Sequence, residues 1–66
     1  MLSSKAKELL DYINKHKLYS YQPIELAVKF KVTNRTIINW SIELVRYGFV
    51  KPNIINERIT SYIIIR

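Results

Sequence analysis

The sequence predicts an α+β domain in which three short helices precede a C-terminal β-hairpin. Three observations predict it: an apolar stripe of helical period near the start, helix-starting residues at Pro23 and Thr33, and extended, β-branched segments after Gly48. At 66 residues the chain makes one domain, residues 1–66, and 48% of its residues are apolar. Because it has no cysteine, neither disulfides nor a cysteine-based zinc site can reinforce the core.

The charge balance favours a polyanionic partner. Lys and Arg number 11 against 5 acids, a net charge of +6, which suits nucleic acid or an anionic membrane surface. No apolar run approaches the roughly 18 residues that cross a bilayer, and the N-terminus lacks the apolar stretch of a signal peptide. We therefore expect a cytoplasmic protein with no membrane partner.

Helical periodicity and start signals predict the first two helices. The first covers residues 3–17, and its apolar stripe has the spacing i, i+3, i+4, i+7 at Ala6, Leu9, Leu10 and Ile13. Residues 18–21 are a short β-prone piece. The second helix begins at Pro23 and extends to Phe30. It is so apolar that we expect it to be covered on most sides.

A third helix is predicted over residues 34–47, with Thr33 as its N-terminal cap and Gly48 as a left-handed stop. Its inner face is predicted to hold Ile37, Ser41 and Leu44, and its outer side Arg35, Asn39, Glu43 and Arg46.

The C-terminal hairpin is predicted from a strand at 49–51, where Pro52 indicates a sheet edge, and a longer strand at 58–65. Asn53 and Asn56 suit the turn between them. Alternation predicts one face with Ile59, Ser61, Ile63 and Ile65, and the other with Thr60, Tyr62 and Ile64. Because the end of this strand is apolar on both faces, we expect it to be central in the sheet.

Residues 24–40, IELAVKFKVTNRTIINW, have the spacing of a helix-turn-helix motif. Ala27 is small where the two helices would meet, Val32 fills the turn, and Ile37 and Trp40 anchor the third helix. With the hairpin, the whole chain resembles the winged helix-turn-helix family of DNA-binding proteins, in the manner of small archaeal, viral or plasmid-type regulators. Lys31 stands where such turns often carry glycine. It must therefore take positive φ, at about 1 kcal/mol or more, or the turn has another shape.

The resemblance implies that helix 34–47 lies in the major groove of double-stranded DNA. The DNA-binding residues that it implies are Thr33, Asn34, Arg35, Thr36, Asn39, Arg46, Lys51 and Arg58. Arg35 would pair with guanine and Asn39 with adenine. Thr33 and Thr36 would meet phosphate or base, and Arg46 would meet phosphate. The alternative for all of these is an ordinary solvated helix face.

The hairpin and the start of the second helix are further candidate contacts. Lys51 and Arg58 flank the wing tip and suit phosphates or the minor groove. The tip, residues 53–57, holds Ile54, Ile55 and an acid, which suits a DNA contact poorly and allows contact with the body or another subunit instead. Backbone N–H groups near Tyr21 and Gln22 can also face a phosphate.

The sequence predicts a small transcriptional regulator that acts as a homodimer, because one recognition helix covers too few base pairs for useful specificity. The alternative is a winged-helix protein-interaction module of a replication or transcription assembly, which exposed Ile38, Ile42, Ile54 and Ile55 would favour. A third possibility is RNA binding through the tyrosines, although most of these suit the rim of a small core with the hydroxyl in water.

No enzymatic, metal or cofactor site is predicted. The carboxylates are scattered, His16 is the single histidine, and one glycine cannot make a phosphate-binding loop. No small-molecule ligand is evident from the sequence.

Overall fold

The computed structural model describes residues 2–65. In chain order the elements are α1 (Ser4–Lys15), β1 (Ser20–Tyr21), α2 (Pro23–Phe30), α3 (Asn34–Arg46), β2 (Val50–Ile55) and β3 (Arg58–Ile64). The strands form one antiparallel sheet in the order β1-β3-β2. The predicted α+β class and the central position of the last strand are confirmed. The arrangement is compatible with a helix-turn-helix core followed by a wing.

Hydroxyl side chains cap the starts of α1 and α3, the second of them as predicted. The Ser3 hydroxyl accepts the N–H of Ala6 at 3.2 Å at the start of α1. The Thr33 hydroxyl accepts the N–H of Thr36 at 3.2 Å at the start of α3. Each bond satisfies one of the amides that a first helical turn leaves unpaired. Pro23, which lacks an N–H, is the first residue of α2, as predicted.

All three helices end in the same left-handed turn. The turn at the end of each helix contains one residue with positive φ: 52° at Lys17, 57° at Lys31 and 79° at Gly48. At the end of α2, the N–H of Lys31 donates to the Val28 carbonyl and the N–H of Val32 to the Ala27 carbonyl. This paired pattern is the Schellman motif. Lys31 therefore takes the left-handed backbone conformation that glycine favours, and the turn to α3 stays short.

The core lies between the helices and one face of the sheet. Its buried apolar residues are Ala6, Leu9, Ile13, Tyr21, Leu26, Ala27, Ile37, Leu44, Val50 and Tyr62. As predicted, Ile37 and Leu44 of α3 are buried, together with Ser41. The expectation that α2 is covered on most sides is wrong, because Ile24 is 56% and Val28 73% exposed. Only one stripe of α2 meets the other helices, so its apolar outer face is left in solvent.

Two tyrosines are core residues rather than the core rim. Tyr21 and Tyr62 are buried, and their rings stack with centroids 5.5 Å apart. The hydroxyls of Tyr21 and Ser41 are hydrogen-bonded at 2.6 Å, which ties β1 to α3. Burial raises the pKa of Tyr21 to about 12, against the opposing effect of the Ser41 hydrogen bond. Burial also raises the pKa of Tyr62, whose hydroxyl has no hydrogen-bond partner among residues 2–65.

The hairpin is longer than predicted and has a tighter turn. Asn53, predicted in the turn, lies in β2 opposite Ser61, and its side-chain amide donates to the Ser61 hydroxyl at 3.3 Å. The turn consists of Asn56 and Glu57, with φ of 52° and 62°. Two successive positive φ values make the type I′ turn that matches strand twist. Cross-strand pairing, which a local pattern does not show, extends the strand through Ile55.

A β-bulge changes which residues share a face of β3. Asn53 pairs with Ser61, but Ile54 pairs with Ile59, so Thr60 is the extra residue. Its hydroxyl donates to the Asn53 carbonyl at 3.2 Å. Because paired residues share a face, Ile59 lies on the same side as Tyr62. Its predicted grouping with Ser61 is wrong.

Candidate nucleic-acid interface

The outer face of α3 presents a narrow stripe of exposed side chains. Its members, hereafter the α3 stripe, are Arg35, Asn39, Ile42 and Arg46. At 3.6 residues per turn these four fall within an arc of about 60°, opposite the buried face that anchors the helix. The rise between Arg35 and Arg46 is about 16 Å. The stripe therefore presents two guanidinium groups, one amide and one aliphatic side chain along three turns of a fixed helix.

Glu43, predicted to lie beside the stripe on the outer side, points to α1 instead. Its carboxylate oxygens accept the backbone N–H of Ser3 at 3.1 Å and the Ser3 hydroxyl at 2.8 Å. These two bonds lower the pKa of Glu43, so it stays ionised while it holds the start of α1 on α3. The contact draws the only acid of α3 to one flank, and the α3 stripe itself contains no carboxylate.

The N-terminal end of α3 has a structural role as well as a candidate binding role. The Thr33 and Thr36 hydroxyls are hydrogen-bonded to each other at 2.9 Å, in addition to the cap bond. Asn34 is exposed, but it lies about 100° around the helix from Arg35. Of the predicted residues at this end, only Arg35 belongs to the α3 stripe.

The start of α2 is a weaker phosphate site than the sequence indicated. The N–H of Gln22 donates to Glu25 Oε1 at 2.8 Å, and the N–H of Glu25 donates to the Gln22 carbonyl at 3.0 Å. A carboxylate therefore already occupies this end of the helix, where it would repel a second anion. Tyr21 is buried and directs its hydroxyl to Ser41 rather than outward.

The hairpin forms a second candidate surface, separate from the α3 stripe. Lys51 and Arg58 are both exposed, and the strand register places them on the face that points away from the core. Ile54 and Ile59 pair on the opposite face, where they are 59% and 50% exposed. They continue the core face beyond the part that the helices cover. Ile54 and Ile55 therefore do not fold back on the body.

Ile42 was not among the DNA-binding residues predicted from the sequence. Its position could have been found there, because it is seven residues after Arg35 and three after Asn39, on the same helical face. The predicted residues were all polar or charged, so an aliphatic side chain on the same face was not included.

No helix within residues 2–65 combines the length and the apolar character needed to cross a membrane. Comparison of the chain with protein-family models, with curated proteins and with solved structures finds no match. The function of the two surfaces is therefore inferred from their geometry and chemistry.

Proposed function

We propose that this protein is a winged-helix regulator of transcription that binds double-stranded DNA sequence-specifically in the cytoplasm. The α3 stripe carries the proposal. It combines positive charge with side-chain hydrogen-bond donors and acceptors that can contact base edges, and it contains no acid. The buried residues on the other side of the helix hold it in place. The major groove of B-DNA is about 12 Å wide, which admits one α-helix with its side chains.

Each of the three polar members of the stripe has its own DNA contact in this proposal. The Arg35 guanidinium donates two hydrogen bonds to guanine O6 and N7, and the Asn39 amide pairs with adenine N6 and N7. Arg46, about 16 Å further along the helix, meets a phosphate where the groove curves away. Thr33, Asn34 and Thr36 lie at the end where the helix enters the groove, and Lys51 and Arg58 of the hairpin meet flanking phosphates.

A homodimer is part of the proposal, because a single helix covers only a few base pairs. The Ile54–Ile59 pair on the hairpin is the surface that favours self-association. Two isoleucines a little over half exposed offer far less than the roughly 800 Å² per partner of a stable interface. We therefore expect a weak dimer that DNA stabilises by holding two copies side by side.

Selection of bound sequences from a random duplex pool tests the proposal. The expected result is an enriched palindromic site whose affinity falls steeply between 50 and 200 mM salt. Arg35→Ala should cost about 1–3 kcal/mol on that site and relax the preference at one position per half-site. Lys15→Ala removes one exposed positive charge from α1, away from the stripe, and should leave every base preference intact.

Absence of an enriched sequence would refute sequence-specific binding. Equal losses for Arg35→Ala on all sequences would assign Arg35 to phosphate rather than to a base.

A protein-interaction module is the second candidate, favoured by the exposed apolar side chains of the hairpin and of α2. Failure to bind duplex DNA at low salt, together with a tight complex with a different protein, would support it. Competition between duplex DNA and single-stranded oligonucleotides for the protein tests the third possibility, RNA binding through the tyrosines.

A further inference from the structure

We infer that Ile42 is a specificity-determining residue that contacts the 5-methyl group of a thymine in the major groove. The inference rests on the proposed function and adds the base that the aliphatic member of the α3 stripe selects. Arg35 and Asn39 would select guanine and adenine through hydrogen bonds, whereas Ile42 would select thymine through apolar contact.

The position of Ile42 carries the inference. It is 43% exposed and lies about 20° around the helix from Arg35, at one edge of the 60° arc of the α3 stripe, and between Asn39 and Arg46 along the helix axis. The buried residues of α3 are on the opposite side of the helix, so Ile42 has no place in the core. An aliphatic side chain exposed along a polar, positively charged stripe gains nothing from water and is buried only by a partner with apolar surface.

Thymine supplies that surface within a groove that is otherwise polar. Its C5-methyl group projects into the major groove and is the only methyl among the four bases there. Ile42 is three residues after Asn39, a rise of about 4.5 Å along the helix. Since base pairs are about 3.4 Å apart, the two side chains address the same or neighbouring pairs. An adenine for Asn39 and a thymine for Ile42 make one continuous A·T-rich contact.

Ile38 supports this contact from the side. It is half-buried and stands four residues before Ile42 on the flank of the stripe. At this spacing the Ile38 side chain can pack beside Ile42 and restrict its rotamers. A flexible side chain at this position would lose more entropy on binding.

The test removes the methyl group and nothing else. The duplex enriched from the random pool is compared with versions in which one thymine at a time is replaced by deoxyuridine, which keeps the base pairing. For the wild-type protein, one such replacement per half-site should weaken binding about four-fold, the factor expected from one lost buried methyl-sized group. For Ile42→Ala, the thymine and uracil versions of that position should bind equally.

A matched control is available on the hairpin. Ile55 is also an exposed isoleucine, but it lies outside the α3 stripe, and Ile55→Ala should keep the four-fold preference for thymine. Circular dichroism melting confirms that both variants are folded, which their exposed positions favour.

The outcomes separate this inference from the proposed function. If the wild-type protein binds its site but no uracil replacement matters, or if Ile42→Ala keeps the thymine preference, Ile42 does not contact a thymine methyl. The enriched site and the Arg35→Ala result would then leave the proposed function standing. If no duplex is bound at all, both are refuted.

Discussion

Replacing Lys31 by glycine should stabilise the protein, although it removes a long side chain from an exposed turn. Lys31 has φ of 57° and ψ of 45°, the left-handed conformation in which a Cβ atom crowds the following carbonyl. That conformation costs about 1–2 kcal/mol for a residue with a side chain. Glycine adopts it freely, so the strain is removed from the folded state.

The net increase in the free energy of unfolding is smaller than the strain energy removed, because glycine also makes the unfolded chain more flexible. That effect opposes folding by about 0.5–1 kcal/mol. Lys31→Gly should therefore raise the free energy of unfolding by about 0.5–1 kcal/mol. For a domain of this size, the corresponding rise in Tm is about 2–8 °C.

Urea and thermal unfolding followed by circular dichroism measure the effect, with an unchanged urea m-value showing that the unfolded state exposes the same surface. Gly48→Lys is the mirror experiment. Gly48 has φ of 79° and nothing within 4 Å of the place where a Cβ would stand. The substitution therefore adds backbone strain without a steric clash, and should lower stability by a similar amount.

Lys31→Ala separates the backbone from the side chain, because alanine keeps the Cβ and its strain. Its stability should stay within about 0.5 kcal/mol of the wild type, as for most surface substitutions. If Lys31→Gly destabilises the protein as much as Gly48→Lys does, the left-handed strain does not govern this turn. If Lys31→Ala stabilises as much as glycine, the effect belongs to the lysine side chain.

Further predictions follow from three other positions: Glu57, Tyr21 and Tyr62. Glu57→Gly should add about 0.5–1 kcal/mol in urea unfolding, because glycine suits the second residue of the Asn56–Glu57 turn better than a side chain at φ of 62°. The contribution of Tyr21 to stability should be constant below about pH 10 and be lost between pH 10 and about 12, because Tyr21 ionises in the unfolded chain before it does so in the folded one. Urea unfolding across this range should show a shallower fall for Tyr21→Phe than for wild type, and an identical fall would contradict the assignment. At pH 7, Tyr21→Phe should cost about 1 kcal/mol by breaking the Ser41 hydrogen bond. Tyr62→Phe should be neutral or stabilising, since it removes a buried hydroxyl that has no hydrogen-bond partner among residues 2–65; a loss above about 1 kcal/mol would show that this hydroxyl is satisfied.

Part of the candidate site could be predicted from local periodicity. A helix of 3.6 residues per turn that buries Ile37 and Leu44 must expose Arg35, Asn39 and Arg46, and the structure exposes all three. Side-chain chemistry alone then gives the bases that these groups can contact. DNA binding itself stays a prediction.

The contact that Glu43 makes could not be predicted in this way. Its place on α3 put it beside the exposed residues, but the start of α1 lies close enough for Ser3 to donate two hydrogen bonds to it. That contact joins residues 40 positions apart, and no local pattern indicates it. It holds the carboxylate of Glu43 at the start of α1, and so it shapes the electrostatics of the proposed interface.

The sequence by itself determined the order of the helices, the caps of α3 and the buried faces of α1 and α3, because these depend on neighbours within one or two turns. Only the tertiary structure decided which way Ile59 faces and how far β2 extends, because both depend on pairing across the hairpin. One extra residue, Thr60, moves Ile59 to the face of Tyr62. A strand has a period of two, so a single inserted residue reverses every assignment beyond it.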